Sequence, residues 1–155
     1  MHISRSLAGV AAAAMLIAAT PAQAGQAELS AEKLRKLDIM LMVSALRCRH
    51  GQDDFQADYN RFAKRHLPAM SAAHRTLSAQ YTGRFGASGG KRALDKLSVS
   101  MANRYGQGHP WMDCHELGAV TRDLADRAQG DRLDEAADLL LASHRAGTLV
   151  ARYER

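Results

Sequence analysis

The sequence predicts an all-α protein, a small helical bundle of about five helices that is closed by one disulfide. Apolar residues recur every three to four positions along almost the whole chain, whereas the alternating pattern of β-strands is nearly absent. The β-branched residues that favour strands are few. The chain contains two cysteines, the number that a single intramolecular bridge requires.

Residues 1–24 have the composition of a secretory signal peptide. Arg5 supplies a positive charge, the run Leu7–Ala19 is apolar but short for a membrane span, and Ala22–Ala24 has the small-x-small pattern of a cleavage site. A retained anchor is the alternative, but the apolar run ends in a Thr-Pro pair rather than in a basic cluster. We therefore expect an exported chain, located in the periplasm or secreted.

The remaining residues, 25–155, are enough for a single domain with a buried core. No internal repeat and no boundary to a second domain is visible in the sequence. We expect one helical domain whose C-terminal tail frays from Gly147 onward.

The charge balance is mildly basic. The chain has 21 Lys and Arg against 16 Asp and Glu, a formal net charge of +5 at pH 7. Basic and acidic residues alternate in EKLRKLD (32–38) and TRDLADRAQGDR (121–132), which is typical of solvated helix faces. We expect no nucleic-acid partner and no transmembrane segment after signal removal, while weak, non-specific attraction to anionic envelope surfaces stays open.

Two long helices are predicted in the first part of the domain. The first covers residues 30–50, and its middle is so apolar that it should be the central helix of the bundle. The second covers residues 53–81, where one phase of apolar residues continues across Pro68 and predicts one kinked helix rather than two. The glycine-rich stretch 83–90 is predicted to be a flexible connection.

Three shorter helices complete the predicted bundle. The third covers residues 91–105. The fourth begins at Pro110, a residue suited to the first turn of a helix, and ends at Gly130. The fifth begins at Asp131.

Cys48 and Cys114 are predicted to form a disulfide. Both lie on apolar helix stripes and near predicted helix ends, and an exported protein folds in an oxidising compartment. In the chain-entropy model, a bridge across so long a loop stabilises the folded state by about 4 kcal/mol. That is a large share of the roughly 5–15 kcal/mol by which domains are stable.

A metal site is the alternative use of this region. His50 follows Cys48 closely, while His109 and His115 flank Cys114, so two thiolates and two imidazoles could surround a zinc ion. The spacings Cys-x-His and Cys-His differ from the usual gaps between paired ligands. Adjacent helical residues also point about 100° apart, which disfavours shared ligation by Cys114 and His115.

Trp111, the only tryptophan, follows Pro110 after a glycine-rich loop. We expect it to plug the end of the bundle against the bridge, because tryptophans are usually largely buried. The alternative is an anchor for a binding partner. The candidate binding surface therefore comprises Trp111 with His50, His109 and His115.

Three segments carry a resemblance to known proteins: LDIMLMVSALRC (37–48), DYNRF (58–62) and MANRYGQGHPWMDC (101–114). They resemble a group of small exported proteins of Gram-negative bacteria with two cysteines. Such chains are sometimes labelled S-adenosyl-L-homocysteine hydrolase, an activity that these residues do not support, because no G-x-G-x-x-G follows a strand. The resemblance implies export and assigns no functional residue.

These observations favour a non-enzymatic protein, an exported helical module with an envelope-associated binding, chaperone-like or structural role. The alternative is a small metal- or ligand-binding periplasmic protein that uses His50, His109 and His115, and an enzyme of unknown class comes third. GASGG (86–90) matches the G-x-S-x-G of serine hydrolases, but it follows a predicted helix and not a strand. We expect no cofactor, and the partner is an unknown envelope protein or small ligand.

Overall fold

The computed structural model describes residues 21–127 and 130–142, and within these ranges all regular structure is α-helical, as predicted. The four helices are α1 (Pro21–Cys48), α2 (Gln56–Tyr105), α3 (Cys114–Arg127) and α4 (Gly130–Leu141). The end of the predicted signal peptide, residues 21–24, forms the first turn of α1. Residues 1–20 and the predicted frayed tail lie outside the described residues.

The prediction of about five helices is wrong in its count, because the glycine-rich stretch 83–90 is helical except at one residue. Gly86, with φ 72° and ψ 171°, is the only residue inside α2 with a non-helical backbone. A Cβ on Gly90 would lie 2.7 Å from the backbone nitrogen of Thr82, whereas these residues would be about 12 Å apart in a straight helix. The chain therefore reverses at Gly86.

We call α2 the hairpin, with a first arm (residues 56–85) and a second arm (residues 87–105). The first arm continues through Pro68 as one helix, as the apolar phase predicts. The arms come into close contact because Gly90 has no side chain to hold the two backbones apart.

The fourth predicted helix begins later than expected. α3 starts at Cys114, because Asp113 and Glu116 form a capping box that ends the preceding loop. The backbone N–H of Asp113 donates to Glu116 Oε2 at 3.0 Å, and the backbone N–H of Glu116 donates to Asp113 Oδ1 at 2.9 Å. Pro110 therefore lies in the loop and not in the first turn.

α1 is the central helix and packs against the other three, as its apolar middle predicts. Its stripe of Leu37, Leu41, Ala45 and Cys48 is buried. Other large members of the main core are Met40, Phe62, Met101, Tyr105, Leu117, Leu124, Leu133 and Leu140. A smaller cluster around Ala31, Ala73 and Leu77 joins α1 to the first arm of the hairpin. Burial of these side chains supplies the main favourable term in folding.

Ion pairs fix the register of the outer helices against their neighbours. The Lys33 ammonium lies 3.4 Å from an Asp134 oxygen and 2.8 Å from an Asp138 oxygen, which joins α1 to α4. Asp58 accepts from Arg122 at 2.9 Å, which joins the first arm to α3. Such partly exposed pairs contribute about 0–1 kcal/mol each, so they orient the helices more than they stabilise them.

Candidate binding surface at the disulfide end

Cys48 and Cys114 form the predicted disulfide, with an S–S distance of 2.03 Å and a Cα–Cα distance of 5.8 Å. The bond joins the last residue of α1 to the first residue of α3 across 66 positions of sequence. Neither residue is therefore available as a thiolate ligand. We call this part of the molecule the disulfide end, and it includes the loop 106–113.

The loop 106–113 begins as a tight continuation of the hairpin. The N–H of Gly106 donates to the Ala102 carbonyl at 2.8 Å. Gly108 has φ 121°, a conformation that side chains disfavour. A Cβ at Gly108 would lie 3.3 Å from the guanidinium carbon of Arg47, so the absence of a side chain also lets that guanidinium lie against the loop. The loop is thus held against the end of α1.

Three aromatic side chains are in contact with one another at this loop. The rings of Tyr105 and His109 are stacked, with centroids 5.5 Å apart and planes 21° apart. Trp111 meets His109 edge-on, with centroids 4.5 Å apart and planes 80° apart. Trp111 is half-buried, with His109 against its ring and part of its surface exposed. Its position as a plug against the disulfide stays a prediction.

His109 connects the loop to α4. It is buried, and its Nε2–H donates to the carbonyl oxygen of Leu140 at 2.9 Å. A carbonyl only accepts, so this bond places the proton of the neutral ring on Nε2. The nitrogen that remains, Nδ1, is buried and has no hydrogen-bond partner within the described part of the chain.

Burial dominates the electrostatics of the stacked side chains. It lowers the pKa of His109 below the ordinary value of 6.5, and the positive charge of Arg104 acts in the same direction. The hydrogen bond to Leu140 and the charge of Glu116 oppose this shift. Burial likewise raises the pKa of Tyr105 above 10.0. Both rings are therefore neutral at physiological pH.

Tyr105 is the second residue here that buries a polar atom without a partner. It is completely buried, and its hydroxyl has no hydrogen-bond partner among the residues that the structure describes. The guanidinium of Arg104 lies over its ring, 5.6 Å from the centroid. Two stacked side chains thus each enclose an unsatisfied polar atom, which typically costs about 1–3 kcal/mol per group.

A cavity of about 300 Å³ lies between α1, the second arm and α4, with Tyr105 in its wall. This volume is at the lower end of the range typical of small-molecule sites. Its charged lining residues are Lys33, Lys36, Arg104 and Asp138. Lys33 is paired with Asp138, and Lys36 is paired with Glu32. The cavity therefore offers both charges, with an apolar wall from Met101 and Leu141.

The three candidate histidines occupy different environments. His50 is exposed and accepts from Arg49 Nε at 2.9 Å, and His115 is exposed on α3. His109 is buried, with its Nε2 used by Leu140. In residues 21–127 and 130–142, no group of three or more His, Cys, Asp or Glu side chains is arranged to hold a metal ion.

Sequence reasoning missed Tyr105, Arg104 and Arg47 as residues of the disulfide end. Tyr105 was identifiable as an inward-facing aromatic residue, but its lack of a polar partner depends on the packing of α1 and α4 around it. The role of Arg47 could not be predicted, because its guanidinium lies against the backbone of a glycine and such a contact leaves no pattern in the sequence.

The fold and this surface define an all-helical, disulfide-linked bundle with an aromatic loop at one end. Comparison with known proteins finds no matching family model, no similar curated protein and no similar solved structure. The resemblance to small exported proteins of Gram-negative bacteria therefore stays a prediction. No helix in the described ranges combines the length and the apolar character needed to cross a bilayer.

Proposed function

We propose that this chain is an exported, non-enzymatic helical module that binds a partner protein in the cell envelope through its disulfide end. The observation that carries the proposal is Trp111, which meets the ring of His109 edge-on, with centroids 4.5 Å apart, and keeps part of its indole exposed at the end of the bundle.

Export is supported by the disulfide. A bond between Cys48 and Cys114 persists in oxidising compartments and is rare in the bacterial cytosol. This agrees with the signal-like residues 1–24 and with a location in the periplasm or outside the cell.

A binding role is supported over catalysis by how the polar residues of this end are already used. The imidazole of His109 holds the Leu140 carbonyl, and the carboxylates of Asp113 and Glu116 cap α3. Apolar surface is offered instead by Trp111 and by Leu46, which lies near the end of α1 and is 45% exposed. Half-exposed tryptophans are common anchors of protein interfaces.

The test is chemical crosslinking in cells that export the full chain with an affinity tag. We expect one or more specific crosslinked species that Trp111→Ala abolishes and Leu67→Ala retains, since Leu67 is 60% exposed but lies on the first arm of the hairpin. Thermal unfolding of both variants verifies that they are folded. Identical crosslinks from both variants, or recovery of the chain from the cytosol with reduced cysteines, would contradict the proposal.

The cavity beside Tyr105 favours a second candidate, the binding of a small polar ligand. Its lining carries both charges and an apolar wall, which suits a small molecule with a carboxylate and a hydrogen-bond donor. Native mass spectrometry of the chain purified from the periplasm tests this candidate. A bound small molecule that is lost in Tyr105→Phe supports it, and the same spectrum for both proteins contradicts it.

A further inference from the structure

The basic residues of this chain are concentrated in the hairpin. Residues 59–94 contain seven of the 21 Lys and Arg residues and none of the 16 Asp and Glu residues. The alternation of charge in α1 and α3 therefore does not extend to residues 59–94, and acidic residues outnumber basic ones in the rest of the chain. A modest net charge thus conceals a strongly cationic segment.

All seven of these cations are exposed to solvent. Arg61 differs from the others, because it pairs with Asp58 and Asp126 at the base of the hairpin. The others are Lys64, Arg65, Arg75, Arg84, Lys91 and Arg92. Within the ranges that the structure describes, none of these six forms an ion pair.

The turn of the hairpin combines cations with an exposed aromatic ring. We call residues 82–92 the hairpin end. Phe85 is 54% exposed there, and the guanidinium of Arg84 lies 5.5 Å from its ring centroid. Arg92, on the second arm, also lies near Phe85. If Gly89 carried a Cβ, that atom would be 4.0 Å from the Arg92 guanidinium and in contact with the Phe85 side chain.

The surroundings of the hairpin end include both charges. A cleft of about 360 Å³ between the two arms and α1 lies directly below it. Its charged or titratable lining residues are Arg35, His74, Lys91 and Asp95. Asp95 is the one carboxylate among the residues that line this cleft, and Arg35 is paired with Asp38 at 3.2 Å, so the net positive charge lies on the hairpin end itself and not in the cleft.

We propose that the hairpin end docks on the surface of an anionic phospholipid bilayer. Phe85 enters the boundary between headgroups and acyl chains, while Arg84, Lys91 and Arg92 lie against lipid phosphates. Basic residues and exposed aromatic rings both contribute to peripheral membrane binding, through attraction to anionic lipids and through burial of apolar area. A bilayer fits better than a polyanion without apolar groups, because a bilayer also removes the exposed ring from water.

The proposal is independent of the proposed partner at the disulfide end, since it uses other residues at a different place. The test is flotation of the purified full chain with phosphatidylcholine vesicles, with and without phosphatidylglycerol. We expect binding only to the anionic vesicles and a strong decrease at high salt, because screened charges attract weakly. No binding to the anionic vesicles at low salt would overturn the proposal.

Matched variants locate the site. Each basic residue at the surface strengthens binding by about fivefold, so Arg84→Gln with Arg92→Gln should weaken it by about 25-fold. Lys64→Gln with Arg65→Gln removes the same charge about 30 Å farther along the first arm and should weaken it by less than about threefold. Equal losses from both pairs would show non-specific attraction and contradict a site at the hairpin end.

The aromatic ring distinguishes a bilayer from other polyanions. Phe85→Ala should weaken vesicle binding by about fivefold or more, whereas Leu67→Ala should leave it unchanged. All these side chains are exposed, and circular dichroism verifies that the variants keep their helices. An unchanged affinity of Phe85→Ala, or tighter binding to a single-stranded oligonucleotide than to the vesicles, would contradict lipid docking.

Discussion

At the disulfide end, Tyr105 and His109 are buried, stacked on each other and held beside a covalent bond, and the loop is fixed to both α1 and α4. At the hairpin end, residues 82–88 are all exposed, and the arms are in contact through Gly90 and the backbone of Thr82. The first region buries polar atoms at a cost in stability, and the second leaves charges and an aromatic ring in water. The comparison teaches that a covalent bond and buried contacts hold the disulfide end, whereas the hairpin end depends on a close approach of two backbones and is exposed throughout residues 82–88.

The largest expected effect comes from removal of the disulfide. Cys48→Ala with Cys114→Ala should lower the free energy of unfolding by up to about 4 kcal/mol, because the unfolded chain regains the entropy of an open loop. Urea unfolding of the full chain with and without reductant measures this change. Reductant should destabilise the wild type and leave the double variant unaffected. A double variant as stable as the oxidised wild type would show that the bond does not stabilise this end.

The next effect concerns the reversal in the hairpin. Gly86 has a positive φ, so Gly86→Ala should destabilise the fold by about 1–2 kcal/mol. Gly83 is helical, and a Cβ there meets nothing within 4 Å, so Gly83→Ala should stabilise it by about 1 kcal/mol. Urea unfolding of the two variants should give changes in the free energy of unfolding that have opposite signs. The same sign for both would contradict a reversal at Gly86.

A smaller effect sharpens the interpretation of Tyr105. Removal of its unpartnered hydroxyl in Tyr105→Phe should stabilise the fold by about 1 kcal/mol, because a buried polar group without a partner is lost. Tyr59→Phe is the matched control, since the Tyr59 hydroxyl donates to Asp38 Oδ1 at 3.1 Å and its loss should destabilise. Calorimetric melting temperatures of both variants test this contrast. A lower melting temperature for Tyr105→Phe would reveal a partner of the hydroxyl.

The smallest effect is a dependence of stability on pH. Burial lowers the pKa of His109 in the folded state, so the unfolded chain binds its proton more readily. The contribution of neutral His109 is therefore complete above the unfolded pKa of about 6.5 and is lost as the pH falls through the folded pKa. Chemical denaturation between pH 8 and about pH 5 should show this loss. His109→Gln should reduce the slope, and an unchanged slope would contradict this account.

The fold class and the bridge were predictable because they depend on patterns that persist along the chain. The period of apolar residues identified the central helix, and two cysteines on apolar stripes in a chain with a predicted export signal indicated the Cys48–Cys114 bond. The capping box of Asp113 and Glu116 was also readable, but Pro110 suggested an earlier start for α3. The choice between two valid helix-start signals depends on tertiary contacts of the loop.

The hairpin and the buried polar atoms were less predictable. Several glycines in residues 83–90 indicate a loop by composition, yet packing of Gly90 on Thr82 favours helix on both sides of Gly86. The acceptor of His109 is a carbonyl on α4, and no local pattern encodes it. The concentration of charge in residues 59–94 was visible in the sequence but was masked by the mixed charges on either side.

The sulfur–sulfur bond closes a covalent ring that contains the whole hairpin, since Cys48 precedes α2 and Cys114 follows it. A protease that cuts the exposed turn around Gly86 therefore releases nothing. The cut molecule becomes two chains that migrate together until a thiol reagent parts them.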